Sequence, residues 1–113
     1  MGDFTASDSF FFVKKQQVLH RIDYTNLKYI HADGNYCYLV TEDNKKFAVK
    51  ISLRHILTKL PQDSFIRVHK SYVVSLKHLE KVDLKEREAQ LSDIAIPIGR
   101  TFLPDLTERL SIV

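Results

Sequence analysis

The chain has 113 residues, of which 44% are hydrophobic and 27% charged, and its formal net charge is +3 with a pI near 9.0. A chain of this length supports one domain with a single hydrophobic core. Its mildly basic balance suits a polyanionic partner without identifying one, because fourteen acidic residues are interspersed. The lone cysteine, Cys37, excludes an intrachain disulfide, and neither a ~18-residue apolar span nor the features of a signal peptide are found. We therefore expect a cytoplasmic protein that does not enter a membrane.

The first half of the chain has the pattern of a β-meander. Residues 1–9 are small, polar and acidic, so we expect a disordered leader or linker remnant there and one domain over residues 10–113. Alternating β-forming residues, separated by turn formers such as Asp33-Gly34, predict strands at 10–14, 17–22, 27–32, 35–41 and 46–51. On the fourth of these strands, Cys37 is expected to be a small buried hydrophobe rather than a nucleophile.

The period changes to that of a helix after residue 51. Apolar residues at i, i+3, i+4 and i+7 form a stripe along one face: Leu53, Ile56, Leu57 and Leu60. Ser52 is the expected N-cap. Pro61 is expected to end the helix.

The stretch from Phe65 to Val74, FIRVHKSYVV, alternates like a strand with one buried face. Its middle is polar, and the side chains there can donate hydrogen bonds to phosphates or bases: Arg67, His69, Lys70 and Ser71. Donors held between two apolar segments favour a contact surface on a rigid scaffold. The alternative is a solvated strand edge whose charges prevent mispairing, and the residues themselves leave both interpretations open.

The last third of the chain alternates between strands and helical turns. Ser75 is the expected cap of a short helical turn. Strands are predicted at 79–84 and 88–91, on either side of the charged turn KERE, and at 94–98. The last of these contains Pro97, which cannot donate to a ladder and predicts an edge or a strand end. Thr101 is expected to cap a C-terminal helix with Pro104 in its first turn.

The arrangement of reactive residues does not indicate an enzyme. The five histidines are scattered, without the spacing of metal ligands. No GxSxG elbow or glycine-rich phosphate loop occurs among the three glycines. We expect no metal, no cofactor and no catalytic residue.

Three predicted breaks between strands contain the donors that nucleic acids require. They are residues 33–36, 69–71 and 99–101. Asn can pair with adenine through two hydrogen bonds, and Arg or Lys with N7 and O6 of guanine, each good contact contributing ~1–3 kcal/mol of discrimination. Contacts to the phosphate backbone would set the register, and the candidates for them are Arg67, Ser71, Lys77 and Thr101.

Three segments carry a family resemblance: LKYIHADGNYCYLVTEDNKKFAV, SLRHILTKLPQDSFIRVHKSYVVSLKHLEKV and IPIGRTFLPDL. In this order the chain resembles the LytTR-type DNA-binding domain of bacterial response regulators (the LytR/AlgR family), from about Phe12 to Leu110. The most specific part is FIRVHKSYVV followed downstream by IPIGR. The resemblance implies a mostly-β fold of small antiparallel sheets in an elongated arrangement. It also implies one short amphipathic helix, a C-terminal helix and no helix-turn-helix.

The resemblance implies a function as well, namely sequence-specific binding of double-stranded DNA by loops inserted into successive major grooves. The domain would be the output half of a two-component transcriptional regulator. The base contacts that it implies are Asn35, Tyr36, His69, Lys70 and Arg100, with Lys70 able to contact either a base or a phosphate. The family usually has Asn where this chain has Ser75, a residue that also caps helices well.

The partners follow from the same resemblance. A phosphorylatable receiver domain usually precedes such a module, so we expect one to be missing from this chain, with dimerisation through it. A function of another class fits the same residues. It is a β-rich protein-interaction or dimerisation module whose basic face meets an acidic partner.

Overall fold

The computed structural model describes residues 9–113, so the predicted leader at residues 1–9 lies, apart from Ser9, outside the described residues. The described part has ten strands: β1 (Phe10–Lys15), β2 (Val18–Asp23), β3 (Leu27–Asp33), β4 (Tyr36–Thr41), β5 (Lys46–Val49), β6 (Phe65–His69), β7 (Tyr72–Ser75), β8 (Leu79–Asp83), β9 (Glu88–Leu91) and β10 (Ile94–Pro97). It has two α-helices, α1 (Leu53–Thr58) and α2 (Leu103–Arg109). Single 3-10 turns lie at Tyr24–Asn26, Leu76–His78 and Arg100–Phe102.

The strands form three small antiparallel sheets. One contains β1 and β2, the second has the order β5-β4-β3-β7-β6, and the third has the order β10-β9-β8. The described residues occupy 44 × 35 × 24 Å. The predicted fold class, mostly β with small antiparallel sheets and two short helices in an elongated arrangement, is confirmed.

The five-stranded sheet is covered on both faces, which corrects the expectation of a single hydrophobic core. Phe65 and Val73 belong to a cluster with residues of β1, β2 and α1. Ile66, Val68 and Val74 belong to a second cluster with residues of β9, β10 and α2. A strand between two apolar layers buries both of its faces and loses the polar alternation of a half-exposed strand. The central strands are therefore held from both sides.

The prediction of one strand across residues 65–74 was wrong. The segment is a hairpin in which β6 and β7 are joined by a tight turn at Lys70-Ser71, with Ile66 opposite Val74 and Arg67 opposite Val73. The polar interruption is the turn itself. Alternation failed as a guide because consecutive residues on this hairpin are buried on opposite faces of the sheet.

Of the three predicted helix caps, Ser52 makes a capping hydrogen bond and the other two do not. The side chain of Ser52 accepts a hydrogen bond from the backbone N–H of His55 at 3.1 Å, which confirms it as the N-cap of α1. Ser75 precedes a 3-10 turn, but its buried side chain makes no capping hydrogen bond. Thr101 does not cap α2, because it lies inside a 3-10 turn and the helix begins at Leu103. Pro104 lies in the first turn of α2, as predicted.

A buried lysine joins two of the sheets. Lys28 is 1% exposed, and its Nζ donates to Asn44 Oδ1 at 2.6 Å and to Asp93 Oδ1 at 2.8 Å. Asn44 Nδ2 in turn donates to Asp93 Oδ2 at 3.1 Å. The hydrogen bonds from Lys28 and Asn44 lower the pKa of Asp93 from 3.8 to about 2. This triad fastens the β4–β5 turn of one sheet to the β9–β10 turn of another.

Cys37 is buried, as predicted. Its Sγ donates to the backbone oxygen of Ile51 at 3.2 Å, and burial raises the pKa of the thiol. A protonated, buried thiol is a weak nucleophile, in agreement with a packing role.

Candidate nucleic-acid interface

Two turns lie side by side at one end of the five-stranded sheet. Gly34 and Asn35 connect β3 to β4, and Gly34 has a φ of 62°, a conformation that glycine adopts without strain. Lys70 and Ser71 connect β6 to β7. Since β3 pairs with β7, and the backbone N–H of Ala32 donates to Ser71 O at 2.8 Å, both turns emerge at the same end.

The third predicted segment reaches the same place. Gly99 follows β10, and its backbone N–H donates to Val68 O at 2.7 Å, next to the end of β6. A Cβ on Gly99 would lie 3.7 Å from the Cα of His69 and only 2.9 Å from the ring of Phe102. The absence of a side chain at Gly99 therefore leaves room for the Phe102 ring, and the hydrogen bond to Val68 O places Arg100 and Thr101 beside the β6–β7 turn.

Arg67 holds these pieces together. Its Nε donates to His69 O at 3.2 Å, and its Nη2 donates to the carbonyl of Lys70. The guanidinium carbon also lies 5.8 Å from the centre of the Phe102 ring, in cation–π range. Arg67 thus stabilises the β6–β7 turn through two hydrogen bonds, and its contact with Phe102 links that turn to the 3-10 turn that contains Arg100.

An aromatic layer lies behind the turns. The ring of Tyr72 stacks on that of His31 with centroids 4.4 Å apart, and His69 meets Tyr72 edge-on at 5.6 Å. The backbone N–H of Ser71 donates to His69 Nδ1 at 3.0 Å. The side chain of His69 is therefore oriented by both a ring contact and a hydrogen bond.

The predicted contact residues differ in exposure and position. Five are exposed at this end of the molecule: Asn35, Tyr36, Lys70, Arg100 and Thr101. Arg67, His69 and Ser71 are half-buried. Lys77 lies elsewhere, in the 3-10 turn that follows the other end of β7, with its Nζ 3.4 Å from Thr25 O.

Sequence reasoning missed Lys50. This exposed residue, together with Gly34, Asn35, Ile51 and Ser52, lines a shallow cleft beside the β3–β4 turn. The register of the β4–β5 hairpin indicates the position of Lys50. In this register Cys37 pairs with Val49, so Lys50 comes to lie next to Tyr36. The segments that meet here contain four cations, Lys50, Arg67, Lys70 and Arg100, and one carboxylate, Asp33.

Residues 9–113 hold no group of three or more His, Cys, Asp or Glu side chains placed to bind a metal ion. None of the helices in this part of the chain is long and apolar enough to cross a membrane.

The fold and the clustered turns define a β-rich domain with donor-bearing segments at one end of its central sheet. Within residues 9–113 the two α-helices are separated by β6 to β10, so they form no helix-turn-helix. Residues 17–111 match the family model of the LytTr DNA-binding domain, and the chain belongs to that family. A solved LytTr DNA-binding domain from Bacillus cereus has the same fold, with a TM-score of 0.80 over 92% of this chain and 98% of that one, at 21% identity. The resemblance seen in the sequence is confirmed.

The curated relatives are bacterial transcriptional regulators. The heme-containing CO-sensing transcriptional regulator RcoM 2 of Paraburkholderia xenovorans is 31% identical over 97 residues, which cover 81% of this chain and 36% of that protein. The CO-responsive transcriptional regulator RcoM of Rhodospirillum rubrum is 30% identical over 96 residues, covering 80% and 40%. The transcriptional regulatory protein BtsR of Escherichia coli is 25% identical over 79 residues, covering 66% and 32%. The chain thus matches about a third to two fifths of the length of these relatives.

Proposed function

We propose that this chain binds double-stranded DNA sequence-specifically, by inserting the clustered turns into major grooves, as the output domain of a transcriptional regulator. The observation that carries the proposal is the meeting of three donor-bearing segments at one end of a sheet that is buried on both faces. Rigid strands fix the directions of the turns, and the surrounding cations attract the phosphate backbone.

The base contacts are assigned to side chains at the tips of the three segments: Asn35, Tyr36, His69, Lys70 and Arg100. Asn35 can donate to and accept from adenine in the major groove, and the planar fork of Arg100 matches N7 and O6 of guanine. Lys70 adds donors that suit either guanine or a phosphate oxygen.

The contacts to the phosphate backbone are assigned to residues that flank these tips. Ser71 and Thr101 provide hydroxyl groups, and Lys50 provides a cation next to the β3–β4 turn. Arg67 uses two of its five N–H donors within the protein, which leaves three for a phosphate. Lys77, at the far end of β7, is proposed as a separate backbone contact outside the cluster.

In the full-length protein, we propose that a signal-receiving domain controls this module and mediates its dimerisation in the bacterial cytoplasm. A receiver domain of a two-component system is the specific candidate. The descriptions of the relatives support control by a signal, since two of them are named for their response to CO.

A specific observation favours a second candidate function, a protein-interaction or dimerisation module. The register of the β1–β2 hairpin places Phe12 and Leu19 on one face, both more than half exposed, and large apolar side chains grouped at a surface often mark protein contacts. This function predicts association that depends on protein concentration in the absence of DNA. Sedimentation of the isolated chain distinguishes it from DNA binding by a monomer.

Selection from a random library of double-stranded DNA, followed by affinity measurements across a salt series, tests the proposal. We expect an enriched motif and a fall of log K with log salt of about 0.9 per phosphate neutralised. The double variant Lys70→Ala/Arg100→Ala should abolish enrichment. Lys45→Ala/Lys46→Ala removes the same number of charges at the opposite end of the β4–β5 hairpin, and as the matched control it should leave the motif unchanged. Binding no tighter than the non-specific range of ~10⁻⁴–10⁻⁶ M on every duplex would refute the proposal.

A further inference from the structure

A neighbour in the turn fixes which nitrogen of the His69 ring carries a proton. The backbone N–H of Ser71 donates to His69 Nδ1 at 3.0 Å, so Nδ1 accepts a hydrogen bond and is unprotonated. In a neutral imidazole the other nitrogen is then the donor. His69 therefore carries its N–H at Nε2.

That N–H is open to an external acceptor. Within residues 9–113 the Nε2 atom of His69 makes no hydrogen bond, and no buried side-chain nitrogen or oxygen in this region lacks a partner. Nε2 is consequently at the surface of the half-buried ring. The T-shaped contact with the Tyr72 ring and the hydrogen bond from the backbone N–H of Ser71 restrict the ring, which gives the N–H a preset direction.

The next residue offers only donors as well. The exposed ammonium of Lys70 has three N–H groups and no acceptor. The carbonyl of Lys70 is already bound by the guanidinium of Arg67. Side-chain tips at the β6–β7 turn thus present a fixed donor from His69 and a mobile donor from Lys70.

Guanine is the base whose major-groove edge complements two donors. It presents acceptors at N7 and O6, whereas adenine and cytosine present an amino group there and thymine pairs one acceptor with a methyl group. We infer that the β6–β7 turn reads a guanine through the Nε2–H of His69, with the tautomer set by the backbone N–H of Ser71. This inference rests on the proposed DNA-binding function and specifies the base class at one of its contacts. Asn35 differs, because its amide both donates and accepts and so suits adenine.

Two substitutions at one position separate the two nitrogens of the ring. In His69→Asn the amide oxygen occupies the place of Nδ1, so Ser71 N–H keeps its acceptor while the Nε2–H is lost. In His69→Gln an amide N–H can take the place of Nε2, but the acceptor for Ser71 is lost. The probe is the duplex selected with the unaltered chain, with each guanine of its motif replaced in turn by 7-deazaguanine, by adenine with thymine opposite, or by inosine. Inosine keeps N7 and O6 and serves as the control.

We expect one guanine at which 7-deazaguanine or adenine lowers the affinity of the unaltered chain roughly tenfold, while inosine does not. His69→Asn should bind all duplexes altered at that position equally, with an unchanged unfolding midpoint. His69→Gln should retain the preference at that position and unfold at a lower denaturant concentration.

Two results would overturn the guanine assignment while leaving DNA binding intact. One is a His69→Asn variant that weakens binding to every duplex by the same factor, which would make His69 a phosphate contact. The other is a motif in which no guanine depends on His69. Failure to enrich any motif would refute the proposed function itself, and the assignment with it.

Discussion

The rings of His31 and Tyr72 lie nearly parallel, 6° apart in plane and 4.4 Å apart in centroid distance. The two residues are directly opposite each other on β3 and β7. Each is only a few residues from one of the two adjacent turns. The stack therefore couples the two turns mechanically at the point where both leave the sheet.

Replacing Tyr72 tests that coupling. We expect Tyr72→Leu to lower the free energy of unfolding by about 1–2 kcal/mol, because stacking on His31 and the edge contact with His69 are both lost. It should also weaken binding to the selected duplex. Urea unfolding and a titration with that duplex measure the two effects. Tyr72→Phe keeps the ring and should behave like the unaltered chain, whereas equal behaviour of the Leu and Phe variants would exclude a role for the stack.

Substitutions at Arg100 separate the contribution of its charge to DNA binding from that of its planar geometry. Arg100→Lys keeps the cation but loses the planar fork, so we expect it to lose ~1–3 kcal/mol of discrimination at one base pair while keeping the salt slope. Arg100→Ala should lose that discrimination and also flatten the salt slope. Competition between duplexes altered at single positions, repeated at several salt concentrations, measures both quantities. An Arg100→Lys variant with full discrimination would place Arg100 on a phosphate.

Gly99 is required for close approach rather than for an unusual backbone, since its φ is −68°. A methyl group there would lie 2.9 Å from the Phe102 ring, so that ring must move. We expect Gly99→Ala to destabilise the chain by about 1–2 kcal/mol and to weaken DNA binding through displacement of Arg100. The double variant Gly99→Ala/Phe102→Leu provides room and should recover part of the stability. If Gly99→Ala alone matched the unaltered chain in both assays, the packing argument would fail.

The Lys28 triad makes a prediction about pH. The pKa of Asp93 in the folded chain, about 2, lies below its ordinary 3.8. A carboxyl whose pKa is lowered by folding stabilises the folded chain above its unfolded pKa, and that contribution disappears as the pH falls through the folded value. The stability difference between the unaltered chain and Asp93→Asn should therefore shrink from pH 4 towards pH 2. Chemical denaturation at several pH values measures it, and a difference that does not change over this window would contradict the assignment. The affinity of Asp93→Asn for DNA at neutral pH should equal that of the unaltered chain, because the Lys28 triad lies away from the turns of the candidate interface.

Much of the fold was predictable because period and turn chemistry acted locally. The hairpin at Gly34 and the helix capped by Ser52 have signals within a few residues. The β6–β7 hairpin was not predicted, because Lys70-Ser71 lacks the glycine or asparagine that marks most tight turns. The burial of Lys28 was not predicted for a different reason. A lysine on a strand indicates exposure unless partners distant in sequence enclose its amino group.

The segments of the candidate site were predictable, but the positions of their side chains relative to one another were not. Residues 33–36, 69–71 and 99–101 stood out as donor-bearing breaks. The orientation of Arg67 and the tautomer of His69 depend on where Gly99 and Ser71 lie in space. The position of Lys50 beside the β3–β4 turn follows only from the register of the β4–β5 hairpin. The position of Lys77 away from the cluster follows only from the bounds of β7.

Burial of the five-stranded sheet on both faces has a consequence for how such a domain can change over time. Within residues 9–113, the exposed side chains of Asn35, Lys70 and Arg100 make no hydrogen bond or ion pair. On the proposed function, substitutions at these positions alter target preference at little thermodynamic cost, because the strands that display them are held by the two apolar layers. A lineage carrying this scaffold would then acquire new target sequences one substitution at a time, with the fold preserved in each variant.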